Sequence, residues 1–348
     1  MEVDGIKFST GGVVFNTGLA LYKLGIKTNL ITKIADDYLG NIIKEKLKNK
    51  DEELLKNLIE VKGEFSSYTI VLNPDDTDRI FLHYPGLNET YKAEDISCKQ
   101  VQEDHIFHFG YPPLLRQFYK NEGKESVKLF KKIKKLGIVT SLDMTLPDSN
   151  SESGNVDWNI YLDNVLPYVN IFAPSFEELL YMIAYPKYKL FEAGKIEITP
   201  QLLDYLADSL IKKGADIILI KLGNQGLYMR SKNINNSLLT KLISAKKWSQ
   251  KQMLAPCFSV DVVDTTGAGD TTIAGFLASV FKGNNPETAL EIATAVGAHC
   301  VEELGAISGI KPLSNVESRI ENGWEKRTLN IKLDAWEFNQ KHKLYVRR

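Results

Sequence analysis

Apolar residues recur with two different periods along the chain. Phe15, Leu19 and Tyr22 fall three or four positions apart, as do Leu39, Ile42, Ile43 and Leu47, and later Ala289, Ile292, Ala293 and Val296. That spacing puts side chains on one face of an α-helix. The last stretch also has start signals, since Asn285 can cap a helix and Pro286 suits its first turn. Between such stretches lie short runs rich in β-branched residues, at 26–34, 105–109, 138–142, 169–172 and 217–222. These read as strands. Strands separated by helices predict an α/β fold with a mainly parallel sheet covered on both faces.

One region departs from this rhythm. Residues 67–72 and 79–84 alternate apolar and polar positions and flank the turn-rich segment Asn73-Pro74-Asp75-Asp76-Thr77-Asp78. The pattern predicts a β-hairpin, and beside an α/β core such a hairpin suits a small lid. After Pro312 the character changes again. This segment carries Trp324 and Trp336 and closes on Lys341-His342-Lys343-Leu344-Tyr345-Val346-Arg347-Arg348. It reads as a C-terminal extension, 313–348, with a surface helix and a solvated basic tail, packed on or beside the core.

Composition narrows the class without choosing a function. The chain has 348 residues, 43% hydrophobic and 25% charged, with a formal net charge of −1. Those values suit a globular domain and give no reason to expect nucleic acid or a membrane as partner. The longest apolar runs are too short to cross a bilayer, and Met1–Gly5 lacks the basic start and apolar stretch of a signal peptide. Cys98, Cys257 and Cys300 are scattered, so reduced thiols and a cytoplasmic location are expected. His105 and His108 sit close, but on a strand they face opposite sides, which argues against a shared metal.

Chemistry concentrates between residues 258 and 281. Residues 258–263 read as a strand and 271–281 as a buried helix; Asp264-Thr265-Thr266-Gly267-Ala268-Gly269-Asp270 joins them. A glycine-rich turn at a helix N-terminus offers free N–H groups and the positive end of the helix dipole, an anion site. It is not a P-loop, which ends in Gly-Lys-Ser/Thr, and it lacks the third glycine of a dinucleotide fingerprint. A carboxylate holds phosphate poorly, so Asp270 needs another role. As a general base it would take a proton from an attacking hydroxyl while neighbouring amides stabilise a phosphoryl group. The helix dipole would keep it ionised. On local physics alone, the better reading of Asp270 is a helix cap beside a tight turn.

The string Asp264–Asp270, late in the chain and leading into an apolar helix, resembles the C-terminal signature of the PfkB/ribokinase carbohydrate kinase family. Ser9-Thr10-Gly11-Gly12-Val13-Val14-Phe15-Asn16 resembles the N-terminal one. The resemblance covers about residues 1–312 and implies a three-layer α/β/α ribokinase-like core with a small β lid, built from segments near 1–12 and 66–90. It implies Asp270 as the base and Gly267, Ala268 and Gly269 as anion-hole donors. Gly11, Gly12, Asn16, Gly86 and Asn88 would lie near the sugar. Lys221, Gly223, Gly226, Thr265, Ala298 and His299 would lie near the nucleotide. Asp264 would lie near a monovalent cation. ATP and Mg²⁺ are the implied cofactors, with K⁺ a further one, and pairing of lid edges into a homodimer is expected.

Two departures stand out. The family's Asn-x-x-Glu, whose Glu orders Mg²⁺ and phosphate waters, is here Ser175-Phe176-Glu177-Glu178, which is also a plain capping box. Glu178 is expected to serve metal through water while capping its helix. Family members also open with a buried strand ending near a Gly and an Asp that meet the sugar. Here Gly11 comes almost at once, so that first strand is expected to be missing from this chain and to lie upstream of Met1. The leading expectation is phosphoryl transfer from Mg·ATP to a hydroxymethyl group of a small sugar. A nucleoside acceptor is an alternative within the family. A sugar- or nucleotide-binding sensor with little turnover is an alternative of another class, and a nicotinamide-dependent oxidoreductase is disfavoured by the absent fingerprint.

Overall fold

The computed structural model describes residues 5–72 and 80–347. In chain order the elements begin with α1 (Gly12–Lys23), β1 (Lys33–Ala35), α2 (Tyr38–Lys48) and β2 (Ile59–Val61), then β3 (Tyr68–Leu72) and β4 (Ile80–Tyr84). The first half of the core follows as α3 (Cys98–Val101), β5 (Ile106–Gly110), α4 (Arg116–Lys135), β6 (Val139–Asp143), α5 (Trp158–Val165), β7 (Ile171–Phe172), α6 (Phe176–Ile183), α7 (Tyr185–Glu192) and α8 (Pro200–Lys212). The second half holds β8 (Ile217–Lys221), β9 (Leu227–Ser231), α9 (Ala245–Trp248), β10 (Gln252–Ala255), α10 (Ala268–Phe281), α11 (Pro286–Val301), α12 (Leu313–Glu321), β11 (Glu337–Asn339) and β12 (Leu344–Val346).

The main sheet runs β11-β12-β10-β9-β8-β7-β6-β5. From β5 to β8 it is parallel, and antiparallel strands extend it beyond β8. Alternation of side chains splits the core into two layers. Leu142, Phe172, Ile218 and Ile220 face the layer of α4, α5, α6 and α8. Val139, Ile171, Ile217 and Leu219 face Ile273, Phe276, Leu277 and Val280 of α10 and Ala289, Leu290 and Ala293 of α11. The result is the α/β/α sandwich expected from the strand and helix periods. The cap at α11 also forms as read, with the Asn285 side chain accepting from the Thr288 N–H at 2.8 Å.

Three expectations are corrected. Residues 258–263 are not a strand: only Phe258 bridges, to Lys326, while Val262 and Val263 are more than half exposed. The edge of β10 that such a strand would use is taken by β12, through Met253 opposite Val346. For the same reason the chain end is not a solvated basic tail. After α12 the extension returns as β11 and β12, and Leu344 is fully buried. The long strand expected at 26–34 shortens to β1, which pairs in parallel with β2 as a separate two-stranded sheet. Among the described residues β5 pairs with β6 alone and β1 with β2 alone, and none of the described elements is the expected opening strand. The expected hairpin forms from β3 and β4, Tyr68 opposite Tyr84 through Leu72 opposite Ile80. The turn expected at 73–78 lies outside the described residues.

Candidate active site

The side chains of interest gather at the carboxyl ends of β5 to β8, where open parallel sheets place their ligands. Tyr111 follows β5, Asp143 ends β6, Ser175 follows β7, and Lys221 ends β8. Above them stands the N-terminus of α10. Its cap, Gly267, has φ of +78°, and a Cβ there would lie 2.6 Å from the Ala306 Cβ. Only glycine meets both conditions.

Asp270 sits in the first turn of α10 but makes no cap to its own helix. Its carboxylate, 4% exposed, accepts instead from distant parts of the chain. Asn16 Nδ2 donates to Oδ2 at 3.0 Å, and Thr17 Oγ1 donates to Oδ1 at 3.3 Å. The Tyr111 hydroxyl lies 2.9 and 2.8 Å from the two oxygens. The helix-cap reading of Asp270 is therefore set aside. Burial raises the Asp270 pKa above the ordinary carboxylate value, and Asn16, Lys221, Tyr111 and Thr17 oppose that rise without cancelling it. The expectation that the helix dipole keeps it simply acidic gives way to a carboxylate made more basic by desolvation.

Lys221 reaches towards the same turn. A Cβ on Gly269 would stand 3.6 Å from Lys221 Nζ. The ammonium pairs with Asp143 Oδ1 at 2.6 Å, and the two side chains are 14% and 1% exposed. Burial alone would lower the Lys221 pKa, but Asp143, Glu178 and Asp270 outweigh it and hold the ammonium charged. Asp143 is pushed up to about 8 by burial, with Lys221 pulling the other way. Its Oδ2 is buried and has no donor, as is Nε2 of His108, a residue two positions before Gly110 whose Nδ1 meets Ser141 Oγ at 2.9 Å.

Glu178 forms the capping box: Ser175 Oγ accepts from the Glu178 N–H at 3.2 Å, and Glu178 Oε2 accepts from the Ser175 N–H at 2.6 Å. Burial raises its pKa, with Lys221 opposing. Asp264 is also engaged. Its Oδ1 accepts from the Thr266 N–H and hydroxyl, and its Oδ2 from the Gly305 N–H at 2.9 Å. It thereby ties the glycine turn to the loop after α11. Among the described residues, no three His, Cys, Asp or Glu side chains converge as a direct metal cage.

The other expected site residues are distributed around this centre. Gly11 caps α1 and Gly12 begins it, at the end of the helix that brings Asn16 and Thr17 to Asp270. Gly86 and Asn88 lie in the short turn after the lid hairpin, and Gly86 packs on the backbone of residues 65–67. Gly223 and Gly226 make the β8–β9 turn, where a Cβ on Gly226 would strike the Ala255 carbonyl. Thr265 is exposed, and its carbonyl accepts from the Ala268 N–H at 3.2 Å. That bond draws one of the three expected anion-hole amides into the turn itself. Ala298 and His299 are buried near the end of α11, and His299 packs against Trp324 of the extension, ring centroids 4.9 Å apart.

Thr17, Tyr111 and Asp143 escaped the sequence reading. Asp143 could have been found as an acid closing a buried strand run. Thr17 adjoins a residue already chosen. Tyr111 carried no local signal beyond its place between a strand and Pro112-Pro113.

Comparison with known proteins points to one group. A model of the pfkB family carbohydrate kinases matches residues 1–312. An uncharacterized sugar kinase of Archaeoglobus fulgidus is 26% identical over 293 residues, covering 84% of this chain and 98% of that protein. Among solved structures, Arabidopsis thaliana ribokinase complexed with ribose and ATP superposes with a TM-score of 0.67. It is 22% identical and covers 91% of each chain. A putative ribokinase II from E. coli in complex with ATP and Mg²⁺ gives a TM-score of 0.65 at 20% identity, covering 92% of this chain and 93% of the other.

Proposed function

Because the chain belongs to the pfkB family of carbohydrate kinases, which are ATP-dependent enzymes, we propose that it transfers the γ-phosphoryl group of Mg·ATP to a hydroxymethyl group of a small sugar, with Asp270 as general base. The observation that carries this reading is the wiring of Asp270. It is a buried carboxylate whose partners come from α1 and from the end of β5 rather than from its own helix. A base so held has a fixed direction and a raised basicity, as proton removal from an alcohol requires.

In this reading the acceptor hydroxyl lies against an Asp270 oxygen. As its oxygen bonds to the γ-phosphorus, the bond from phosphorus to the bridging oxygen of ADP breaks, and the hydroxyl proton passes to Asp270. The free amides at the start of α10, Gly267 and Gly269 foremost, face the transferring group with the helix dipole behind them. Lys221, held beside Gly269 by Asp143, adds a fixed positive charge. The residues fit a magnesium ion that arrives with its nucleotide. Mg²⁺ keeps most of its waters and needs one or two carboxylates rather than a full cage, and the unpartnered Asp143 Oδ2 and the neighbouring Glu178 offer that, Glu178 through water. When bound, the ion supplies charge neutralisation of the phosphates. The nucleotide would run from Lys221 past Thr265 and the β8–β9 turn at Gly223 and Gly226 towards Ala298 and His299. A K⁺ ion near Asp264 belongs to the same reading and would show as K⁺-dependent turnover.

The sugar would enter beneath the lid, bounded by Gly11, Gly12, Asn16, Gly86 and Asn88. One face of the lid hairpin, formed by Tyr68, Ile70, Leu72, Ile80, Leu82 and Tyr84, is apolar and exposed, Ile70 at 47% and Leu82 at 52%, which supports pairing of two lids in a homodimer. The test is ADP release over a panel of sugars and nucleosides, with Asp270→Asn beside the wild type. Turnover should fall by about 10²- to 10⁴-fold while calorimetric ATP affinity stays within about twofold. Full activity in Asp270→Asn overturns the assignment of the base.

A further inference from the structure

The carboxylate assigned as base leaves little room for an acceptor. An ionised carboxylate offers about four acceptor positions, and three side-chain donors meet it here, one of them spanning both oxygens. Asn16 takes Oδ2 from one side and Thr17 takes Oδ1 from the other. The Tyr111 hydroxyl lies between the two oxygens, within 2.9 Å of both. Asn16 and Thr17 are built into helix α1 and are 9% and 1% exposed. Tyr111 is only partly buried and is carried by the loop after β5, so of the three donors it is the one with freedom to leave.

The backbone beneath Tyr111 is unusual. Its φ of 59° and ψ of 44° are left-handed. That region is rare for a bulky residue and further disfavoured before proline, and Pro112 follows. Chain geometry of this kind persists where the surroundings impose it and clusters at functional sites. Here its effect is to aim the phenol at Asp270. The phenol cannot itself act as base, because burial first, then the charges of Asp270 and Asp143, hold it protonated far above its ordinary range.

We infer, building on the kinase reading above, that the Tyr111 hydroxyl is a stopper on the base. With no acceptor bound it occupies the seat on Asp270 that an acceptor hydroxyl, or a water molecule, would take. A water in that seat would be activated as the acceptor is: its oxygen would bond to the γ-phosphorus, the bond to the bridging oxygen of ADP would break, its proton would pass to Asp270, and ADP and inorganic phosphate would leave. Tyr111 excludes that water. A sugar hydroxyl displaces the phenol because the rest of the sugar supplies binding that a lone water lacks.

The test compares the wild type, Tyr111→Phe, Asp270→Asn and the double variant by ADP release, with ATP alone and with an active sugar from the panel. Phe keeps the ring and removes the donor; Tyr111→Met gives the same two readings should the Phe variant fail to fold. A lost hydrogen bond to a charged group corresponds to about tenfold. Tyr111→Phe should therefore raise acceptor-independent ADP release about tenfold and lower the acceptor KM by a similar factor. The double variant should return the background to that of Asp270→Asn. The inference is overturned if Tyr111→Phe lowers kcat at unchanged KM, if it moves neither background nor KM, or if the raised background survives in the double variant. A wild type that releases ADP with no acceptor on the panel sinks the kinase reading and the inference together, whereas an active wild type beside an unmoved Tyr111→Phe sinks the inference alone.

Discussion

The turn at 264–270 and the hairpin β3–β4, the base and the lid of the proposed function, are built on opposite terms. The turn is locked from every side. Gly267 touches Ala306, Asp264 is tied to Gly305, and Asp270 is held by α1 and by the residue after β5. The hairpin is held chiefly by its own five-pair ladder and shows an exposed apolar face. A phosphoryl transfer centre needs atoms fixed to a fraction of an ångström, whereas a cover that admits one acceptor and rejects another needs a surface that can change without cost to the core. On the proposed function, the chemistry would reside in the packed part of the molecule and the choice of acceptor in the loosely attached part.

The largest effect that would sharpen this contrast comes from Lys221→Met. It strands Asp143 in the interior, and breaking a buried pair by removing one partner costs about 3–5 kcal/mol. Urea unfolding should show that loss together with a fall in kcat, and a neutral result would mean that the pair does not organise the site. Next, Gly267→Ala forces a side chain into a left-handed backbone position against Ala306, at about 1–3 kcal/mol; thermal unfolding of the two proteins checks it.

A third expectation concerns pH and the floor of the site. Burial, then the Lys221 ammonium, lowers the His108 pKa to about 3, against about 6.5 in an unfolded chain. The unfolded state therefore binds a proton that the folded state refuses. This contribution to stability is fully present above about pH 6.5 and is lost as pH falls towards about 3. His108→Gln, which keeps a partner for Ser141 but does not titrate, should flatten that part of the acid slope in urea midpoints taken across the range. An unchanged slope would place His108 outside the acid response.

The smallest effect belongs to the lid. Ile70→Ser and Leu82→Ser should alter stability by no more than about 0.5 kcal/mol, while shifting acceptor KM and, if lids pair, yielding a lighter species in sedimentation. Destabilisation as large as that of Lys221→Met would break the comparison, because the hairpin would then be part of the core.

Much of the framework was legible in the chain. The periods of α1, α2 and α11, the strand runs of β5 to β8 and the alternating lid hairpin follow from local patterning. So do the glycine turn and the Ser175–Glu178 capping box, which need only neighbours in sequence. Two of the errors have one source. Residues 258–263 look like a strand and residues 344–346 look like a tail, but which segment pairs with β10 is a competition between distant pieces of chain. Local propensity does not resolve such a competition.

By itself the sequence determined an α/β sandwich, a glycine-rich turn at a helix start, and a carboxylate beside it. It left that carboxylate balanced between helix cap and base. Only the tertiary structure set the cap aside, by bringing Asn16, Thr17 and Tyr111 to Asp270 across separations of 159 to 254 residues. It likewise paired Lys221 with Asp143 across 78. The physical reason is that a cap is satisfied within one helical turn, whereas the partners and basicity of a buried acid are supplied by whatever the packed core places around it.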